Sequence, residues 1–230
     1  MQIFTEAEYN DLITKNPTSH AKKIKSKEGI DMEETKKKDA FTDSEISELV
    51  NGLPNDLLGN SIMTLIGSGM RVQELLALRP EDISADGSTI SVQKAIKTVD
   101  GSPLLGPPKS KTSKRVIPIP ESYRPFVKFI RQNGGNDYVW ESEREDKLYC
   151  VGTFRKKYYR CLKNIEAVRP LSPHCCRHTY VTKLQEGGVP IELVARLAGH
   201  SSLDMTDHYT HVSADVLAKN VEVLEVPKAN

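Results

Sequence analysis

From residue 42 onward, apolar residues recur every three or four positions, which is the period of an α-helix with one buried face. Thr42, followed three residues later by Glu45, forms a capping-box pattern that predicts a helix start. Two helical stripes follow, over residues 46–53 and 57–66, and a third resumes at 75–78. The pattern predicts that a compact domain starts here with packed helices.

Alternation of apolar and polar residues replaces the helical period between residues 89 and 120. Residues 89–96 alternate as a half-buried strand does, and 115–120 place Val116 and Ile117 beside two prolines that suit only an edge strand. The intervening segment 97–114 is so rich in Pro and Gly that it predicts only an extended hairpin connection. A small antiparallel sheet is therefore expected inside a helical protein.

The helical period returns after this sheet. Six further helices are predicted, at residues 123–132, 151–162, 172–186, 191–198, 202–211 and 214–223. Pro173 and Pro190 fall in first turns, and Gly199 falls at a helix end. The predicted fold class is mainly α with a small antiparallel β-sheet (α+β).

The first 40 residues differ from the rest, because they are polar, rich in Lys and Glu, and contain few apolar residues for a core. We predict a charged N-terminal arm or linker at 1–40 and one compact domain at 41–230 with a C-terminal helical tail. The chain shows no apolar run long enough to cross a bilayer and no secretory leader pattern, so a soluble cytoplasmic protein is expected.

Charge is distributed unevenly along the chain. The whole chain has a formal net charge of +1, yet residues 101–170 hold 15 Lys or Arg against 7 Asp or Glu. A surplus of this kind is typical either of a solvated face or of a surface that meets a polyanion. Charge alone leaves both interpretations open.

The segment 171–182 concentrates the candidate chemistry. Ser172 is the expected N-cap, so His174 and Arg177 lie three residues apart on one face near a helix N-terminus, which suits an anion. The spacing of His174 and His178 also fits a zinc motif, but Cys175 occupies the position of that motif's glutamate. Reduced thiols are expected for the four cysteines.

Three further segments carry reactive or basic side chains, each with an ordinary structural alternative. Tyr209 follows His200 in the segment 197–213 and could be simple core or surface. Arg71 and Glu74 are spaced as an intrahelical ion pair. A lysine-rich turn contains Lys109, Lys111 and Lys114. Its composition is also usual for a solvated hairpin tip.

Taken in order, four stretches resemble the catalytic domain of the tyrosine recombinases, the integrases of phages and mobile elements. They are "GMRVQELLALRPEDIS", "KSKTSKRVIPIP", "HCCRHTYVT" and "LAGHSSLDMTDHYTHV". The resemblance runs from about residue 42 to 212, and the intervals of 23 residues from Arg177 to His200 and 9 from His200 to Tyr209 match those usual in the family.

The resemblance implies six catalytic residues and a role for each. Tyr209 would attack a DNA phosphodiester and form a 3′-phosphotyrosyl link, while His174 would accept its proton. Two arginines and a histidine would stabilise the charge on the phosphate, and a lysine would protonate the leaving 5′-oxygen. These four residues are Arg71, Arg177, His200 and Lys111. Lys109 remains the alternative for the lysine, because the length of that turn varies.

The resemblance also implies which partners and cofactors the protein has. The expected partner is double-stranded DNA at attachment or inverted-repeat sites, bound by a homotetramer that is monomeric without DNA, with DNA-bending accessory proteins and no membrane. Neither a cofactor nor a metal ion is implied. Residues 1–40 are too short for the clamp domain that usually precedes the catalytic domain in integrases.

Two other functions stay open beside the site-specific recombinase. One is a relaxing topoisomerase of type IB, which shares the nucleophile and the arginines, and the other is a truncated DNA-binding relative without recombination activity. The C-terminal tail leaves two options as well. Its apolar face either docks on a neighbouring protomer, as in the family, or packs on its own core; it consists of Val216, Leu217, Val221 and Leu224.

Overall fold

The computed structural model of the protein describes residues 39–107, 114–199 and 213–227. Within these ranges the chain forms eight α-helices: α1 Asp43–Gly52, α2 Leu57–Ser68, α3 Val72–Leu75, α4 Arg124–Asn133, α5 Val151–Lys163, α6 Pro173–Glu186, α7 Ile191–Ala198 and α8 Ala214–Val221. It also forms four strands: β1 Thr89–Val92, β2 Ala95–Val99, β3 Ser102–Gly106 and β4 Arg115–Pro118. The mainly helical class predicted from the sequence is confirmed. The predicted arm at 1–40, apart from its last two residues, and the predicted helix at 202–211 lie outside the described residues.

The first helix begins as its sequence predicts. The Glu45 N–H donates to Thr42 Oγ1 at 3.2 Å, and the Thr42 N–H donates to Glu45 Oε2 at 2.8 Å, which completes the capping box. Arg169 then fastens this helix start to a distant segment, because its Nε and Nη2 donate to the two Glu45 carboxylate oxygens at 2.7 and 2.8 Å. Its Nη2 also donates to the Ala40 carbonyl at 2.7 Å.

Helix α2 runs through the middle of the core. Every residue from Gly59 to Ser68 is buried, and α4, α5 and α6 pack around the helix. Gly69 ends it with a left-handed backbone (φ 61°). A Cβ at this position would lie 2.3 Å from the ring of Tyr180, so both the backbone angle and the close packing require glycine.

The strands form two separate two-stranded antiparallel sheets instead of the one that the sequence predicts, pairing β1 with β4 and β2 with β3. The expectation of a plain connection at 97–114 was therefore wrong, since Ser102–Gly106 is a strand paired with Ala95–Val99. The tight turn between them has positive φ at Asp100 (47°) and Gly101 (79°). An Asp-Gly pair favours such a turn, and this local signal outweighs the Pro and Gly content around it.

The helices after the sheets follow the predicted pattern with small shifts at their ends. Ser172 is the N-cap of α6 and Pro173 its first residue, but Ser172 makes no side-chain capping bond; its Oγ lies 3.4 Å from Cys175 Sγ. The last helix ends at Val221, two residues earlier than predicted. Within the described ranges, no helix combines the length and the apolar character needed to span a membrane.

The C-terminal helix packs on its own domain in this structure. Its apolar face, with Val221 fully buried, lies against β4. Just after the helix, Glu222 Oε2 accepts from the Glu121 N–H at 3.0 Å. Ser122 fixes the segment that follows, because its Oγ donates to the Leu224 carbonyl at 3.2 Å and accepts from the Val226 N–H at 3.2 Å. Of the four apolar positions predicted for this face, Val216 alone is exposed, at 43%.

We expect the Glu45 carboxylate to contribute pH-dependent stability. Burial alone would raise the pKa of this carboxyl, but the Arg169 guanidinium and the backbone N–H groups of Thr42 and Arg169 lower it from 4.5 to about 2. Because the folded-state pKa is depressed, the contribution is complete above about pH 4.5 and disappears as the pH falls towards 2.

Glu45→Gln should therefore lower the free energy of unfolding by about 2 kcal/mol at pH 7 and by much less at pH 3. Urea denaturation followed by circular dichroism measures both values. Glu48→Gln is the matched control, since Glu48 is exposed on the same helix, and it should change stability by less than about 0.5 kcal/mol. An equal loss for Glu45→Gln at both pH values would contradict the prediction.

Candidate active site

Arg177 lies near the start of α6 with only 2% of its surface exposed. Its Nη1 donates to the Gly69 carbonyl at 2.9 Å, whereas its Nη2 is buried and has no hydrogen-bond partner among the described residues. Burial, together with the charges of Arg71 and Arg115, lowers the pKa of Arg177 to about 10. The guanidinium therefore remains protonated at neutral pH, with an unused donor in a region of excess positive charge. An anion is the ligand that would satisfy it.

Arg71 is the N-cap of the short helix α3 and is held by Glu74. Its backbone N–H donates to Glu74 Oε2 at 2.9 Å, and its Nη1 donates to Oε1 at 2.8 Å. Glu74 is 2% exposed; burial raises the pKa of its carboxyl, but Arg115 and Arg71 outweigh this and keep the pKa below 4.5. The intrahelical ion pair considered from the sequence is present, and the same bonds fix the direction of the Arg71 side chain.

A third arginine, Arg115 at the start of β4, joins the cluster. Its Nη1 and Nη2 donate to the two Glu74 oxygens at 3.4 and 3.1 Å, and its Nε donates to the Leu197 carbonyl at the end of α7 at 3.0 Å. No sequence pattern indicates this role, because the contact joins a strand, a helix start and a helix end that are far apart in the chain. Only the fold brings them together.

Tyr180 adds a second unsatisfied polar group to the same place. Its hydroxyl is fully buried and has no hydrogen-bond partner in the part of the chain that the structure describes. Burial raises the pKa of this phenol, and the nearby charges of Arg115 and Arg177 oppose the rise. Two of the three unsatisfied buried side-chain atoms found in the described ranges thus belong to α6, beside the arginines. Their concentration there is what a preformed polar binding site produces.

His174 occupies the exposed first turn of α6, three residues before Arg177. Its ring packs edge-on against that of His178 with the centroids 4.6 Å apart. Within the described residues, no group of three or more His, Cys, Asp or Glu side chains is arranged to hold a metal ion. The helix end thus presents an imidazole and, one turn further in, a buried guanidinium.

The paired cysteines of this helix face inward. Cys175 and Cys176 are buried free thiols, and Cys176 lies 3.6 Å from the Tyr158 hydroxyl. Burial raises the pKa of Cys176 to about 12, so this thiol stays protonated at neutral pH. Both residues contribute to packing and leave the exposed face of α6 to His174.

The structure describes three of the six predicted site residues, Arg71, His174 and Arg177. It places Arg71 and Arg177 near each other. Arg177 binds the carbonyl of Gly69, two residues before Arg71, and Arg71 Nη2 lies 3.4 Å from the Gly199 carbonyl. Gly199 is the residue before His200 in the chain. The other three predicted residues, Lys111, His200 and Tyr209, lie outside the described residues, as does the alternative Lys109.

Comparisons with known proteins agree on one family. The sequence model of the phage integrase family matches residues 40–215. A tyrosine recombinase XerC-like protein of Caldanaerobacter subterraneus subsp. tengcongensis is 31% identical over 211 residues, covering 81% of this chain and 54% of that protein. Tyrosine recombinase XerA of Pyrococcus furiosus is 31% identical over 191 residues, covering 80% of this chain and 60% of its own. The chain thus spans little more than half the length of these relatives.

Solved structures give the same fold. The Tn1549 transposon integrase in complex with transposon right end DNA superposes with a TM-score of 0.71 at 20% identity, covering 96% of this chain and 75% of its own. The XerA recombinase superposes with a TM-score of 0.57 at 22% identity, covering 79% and 61%. With a family match over most of the chain and a shared fold, this protein belongs to the phage integrase family and contains a tyrosine recombinase catalytic domain.

Proposed function

We propose that the chain cleaves and rejoins DNA strands at specific sites through a phosphotyrosyl intermediate, as a recombinase or integrase. One observation carries this proposal: the buried Arg177 has an unused Nη2 donor, and the charges of Arg71 and Arg115 act on it. The three guanidinium groups lie near one carboxylate, that of Glu74, which accepts hydrogen bonds from Arg71 and Arg115. The excess positive charge fits a phosphodiester whose nonbridging oxygens gain charge during the reaction.

The arginines would act mainly in the transition state. Attack on phosphorus produces a trigonal bipyramid with more negative charge on its nonbridging oxygens than the ground state carries. The Arg177 guanidinium is already desolvated and fixed to the Gly69 carbonyl, so little reorganisation is needed when that charge develops. Arg71 is one-quarter exposed at its side chain and held by Glu74, and it would donate from the open side.

The remaining steps are assigned by family resemblance. The phenolic oxygen of Tyr209 forms a bond to phosphorus, and the bond from phosphorus to the 5′-oxygen breaks. The proton of the phenol passes to His174, and Lys111 protonates the leaving 5′-oxygen. His200 donates a hydrogen bond to the phosphate. Rejoining reverses these steps with a 5′-hydroxyl as the nucleophile, so the energy of the phosphodiester is retained in the phosphotyrosyl link.

This mechanism needs no metal ion. The charge that a divalent cation supplies in other phosphoryl transfers would come here from guanidinium groups that the protein holds in place. The proton transfers use side chains alone. We therefore propose that cleavage continues when divalent ions are removed.

The proposed partner is double-stranded DNA, because the Tn1549 integrase with the same fold was solved in complex with DNA. The basic surplus of residues 101–170 supports this, since such charge favours phosphate contacts. Assembly of four copies and help from DNA-bending proteins remain part of the proposal. The relatives named above are recombinases and integrases, and none supports the relaxing topoisomerase considered from the sequence.

Tyr209→Phe should abolish the covalent protein–DNA adduct on a nicked suicide substrate and leave DNA binding within about twofold of the original protein. The phenylalanine keeps the ring and removes only the attacking oxygen. Denaturing gels measure the adduct, and a mobility shift measures binding. The same assay in EDTA tests the metal-free mechanism. An adduct that survives in Tyr209→Phe, or one that disappears in EDTA, would contradict the respective part of the proposal.

Arg177→Met should lower the cleavage activity strongly and change the stability of the protein little. Cleavage should fall at least about a hundredfold, because a fixed donor to the transition state is lost. The free energy of unfolding should change by less than about 1 kcal/mol, since the substitution removes a desolvated charge that neighbouring arginines disfavour. Single-turnover cleavage and urea denaturation give the two values. A large loss of stability with intact cleavage would show that Arg177 is structural.

A further inference from the structure

The Glu74 carboxylate is shared between two arginines and is saturated by them. Its Oε1 accepts from Arg71 Nη1 at 2.8 Å and from Arg115 Nη1 at 3.4 Å. Its Oε2 accepts from the Arg71 N–H at 2.9 Å and from Arg115 Nη2 at 3.1 Å. A carboxylate accepts about four hydrogen bonds, so Glu74 has no acceptor site left for a substrate. It acts only on protein groups.

Arg115 uses its three nitrogen atoms differently from Arg177. All three donate to protein acceptors, two to Glu74 and one to the Leu197 carbonyl, and the side chain is only 7% exposed. Arg177 keeps one buried nitrogen that has no partner within residues 39–107, 114–199 and 213–227. The Arg177 guanidinium is therefore available to a phosphate, whereas the Arg115 guanidinium holds protein segments together.

Arg115 also lies where three segments of the site meet. It begins β4, four residues after Lys111, and it contacts the carboxylate that orients Arg71. Its bond to Leu197 fixes the end of α7, three residues before His200. The packing there is close, because a Cβ on Gly199 would lie 2.9 Å from Arg115 Nη1. One side chain thus connects α3, the start of β4 and the end of α7.

We propose that Arg115 is a positioning residue that sets the geometry of this site by holding Arg71 through Glu74 and by fixing the end of α7. The proposal rests on the proposed strand cleavage for its catalytic consequence. A lysine cannot replace Arg115, because a single ammonium lacks the planar fork that reaches both oxygens of a carboxylate and a carbonyl at once. Misplacement of a catalytic group by about 1 Å slows a reaction by about a hundredfold.

The decisive comparison is Arg115→Lys against Arg124→Lys. Arg124 makes the same types of bond, from Nε to the Ile119 carbonyl at 3.2 Å and from Nη2 to the Glu222 carboxylate at 3.3 Å. Its bonds are more exposed and involve none of the site residues. Both substitutions keep the charge, so any difference between them reflects the particular contacts of Arg115.

Two measurements are made on each variant. The first is the rate of adduct formation from a preformed complex with nicked DNA, alongside the affinity for that DNA. The second is the ¹⁵N–¹H NMR spectrum of the arginine side chains without DNA, in which a guanidinium held by fixed bonds shows separate, slowly averaging Nη signals. Arg71 signals are assigned by their loss in Arg71→Lys.

For Arg115→Lys, we expect cleavage to slow by about 10- to 100-fold, DNA affinity to stay within about twofold, and the Arg71 signals to average or shift. Arg124→Lys should match the original protein in all three. Cleavage at the original rate with unchanged Arg71 signals would overturn the proposal. If the original protein forms no adduct, the proposed function fails, and the Arg71 signals alone then decide whether Arg115 positions Arg71.

A second variant covers the case in which Arg115→Lys unfolds. Arg115→Met combined with Glu74→Gln removes both buried charges at similar volume, so that folding no longer depends on an unpaired carboxylate. Thermal denaturation should show a folded protein, and cleavage should remain at least about tenfold slow. Cleavage restored to the original rate in this double variant would overturn the positioning role.

Discussion

The Glu74 carboxylate accepts hydrogen bonds from Arg71 in its own helical turn and from Arg115, 41 residues further along the chain. Without it, two buried or half-buried guanidinium groups would repel each other and Arg177 with no compensating charge. With it, each arginine has a defined direction. Helix α3 and strand β4 both reach this one acidic side chain, and α7 joins them through the bond from Arg115 Nε to the Leu197 carbonyl. The site therefore depends on a negative charge whose two oxygens both accept hydrogen bonds from Arg71 and Arg115.

The core supplies the rigidity that such a charge cluster needs. Helix α2 is buried along most of its length and ends at Gly69, whose carbonyl binds Arg177. An unsatisfied buried donor costs free energy, and so does a desolvated cation among like charges. Packing around α2 offsets both. In this way the most apolar element of the domain stabilises its most polar site.

The sequence predicted local features well and long-range contacts poorly. The capping box of Thr42 and Glu45, the edge strand with its prolines and the helices within residues 124–199 and 214–221 follow from spacing alone, and the structure confirms them. The β2–β3 hairpin was missed because its Asp-Gly turn was read as part of a Pro- and Gly-rich connection. The resemblance to a family predicted Arg71 and Arg177 as site residues. It did not predict Arg115, because the contacts of that side chain form only where three distant segments meet.

The bonds of Arg169 have a further consequence during synthesis on the ribosome. Glu45, in the first turn of α1, is bound by a residue 124 positions later, and the Phe41 N–H donates to Thr179 Oγ1, 138 positions later. At about 5–20 residues per second, roughly 6–25 s pass between the emergence of α1 and that of its partners. During this interval Glu45 lacks its partner Arg169 and the Phe41 N–H lacks its partner Thr179. The start of the domain is thus completed only after the first half of α6 has been made.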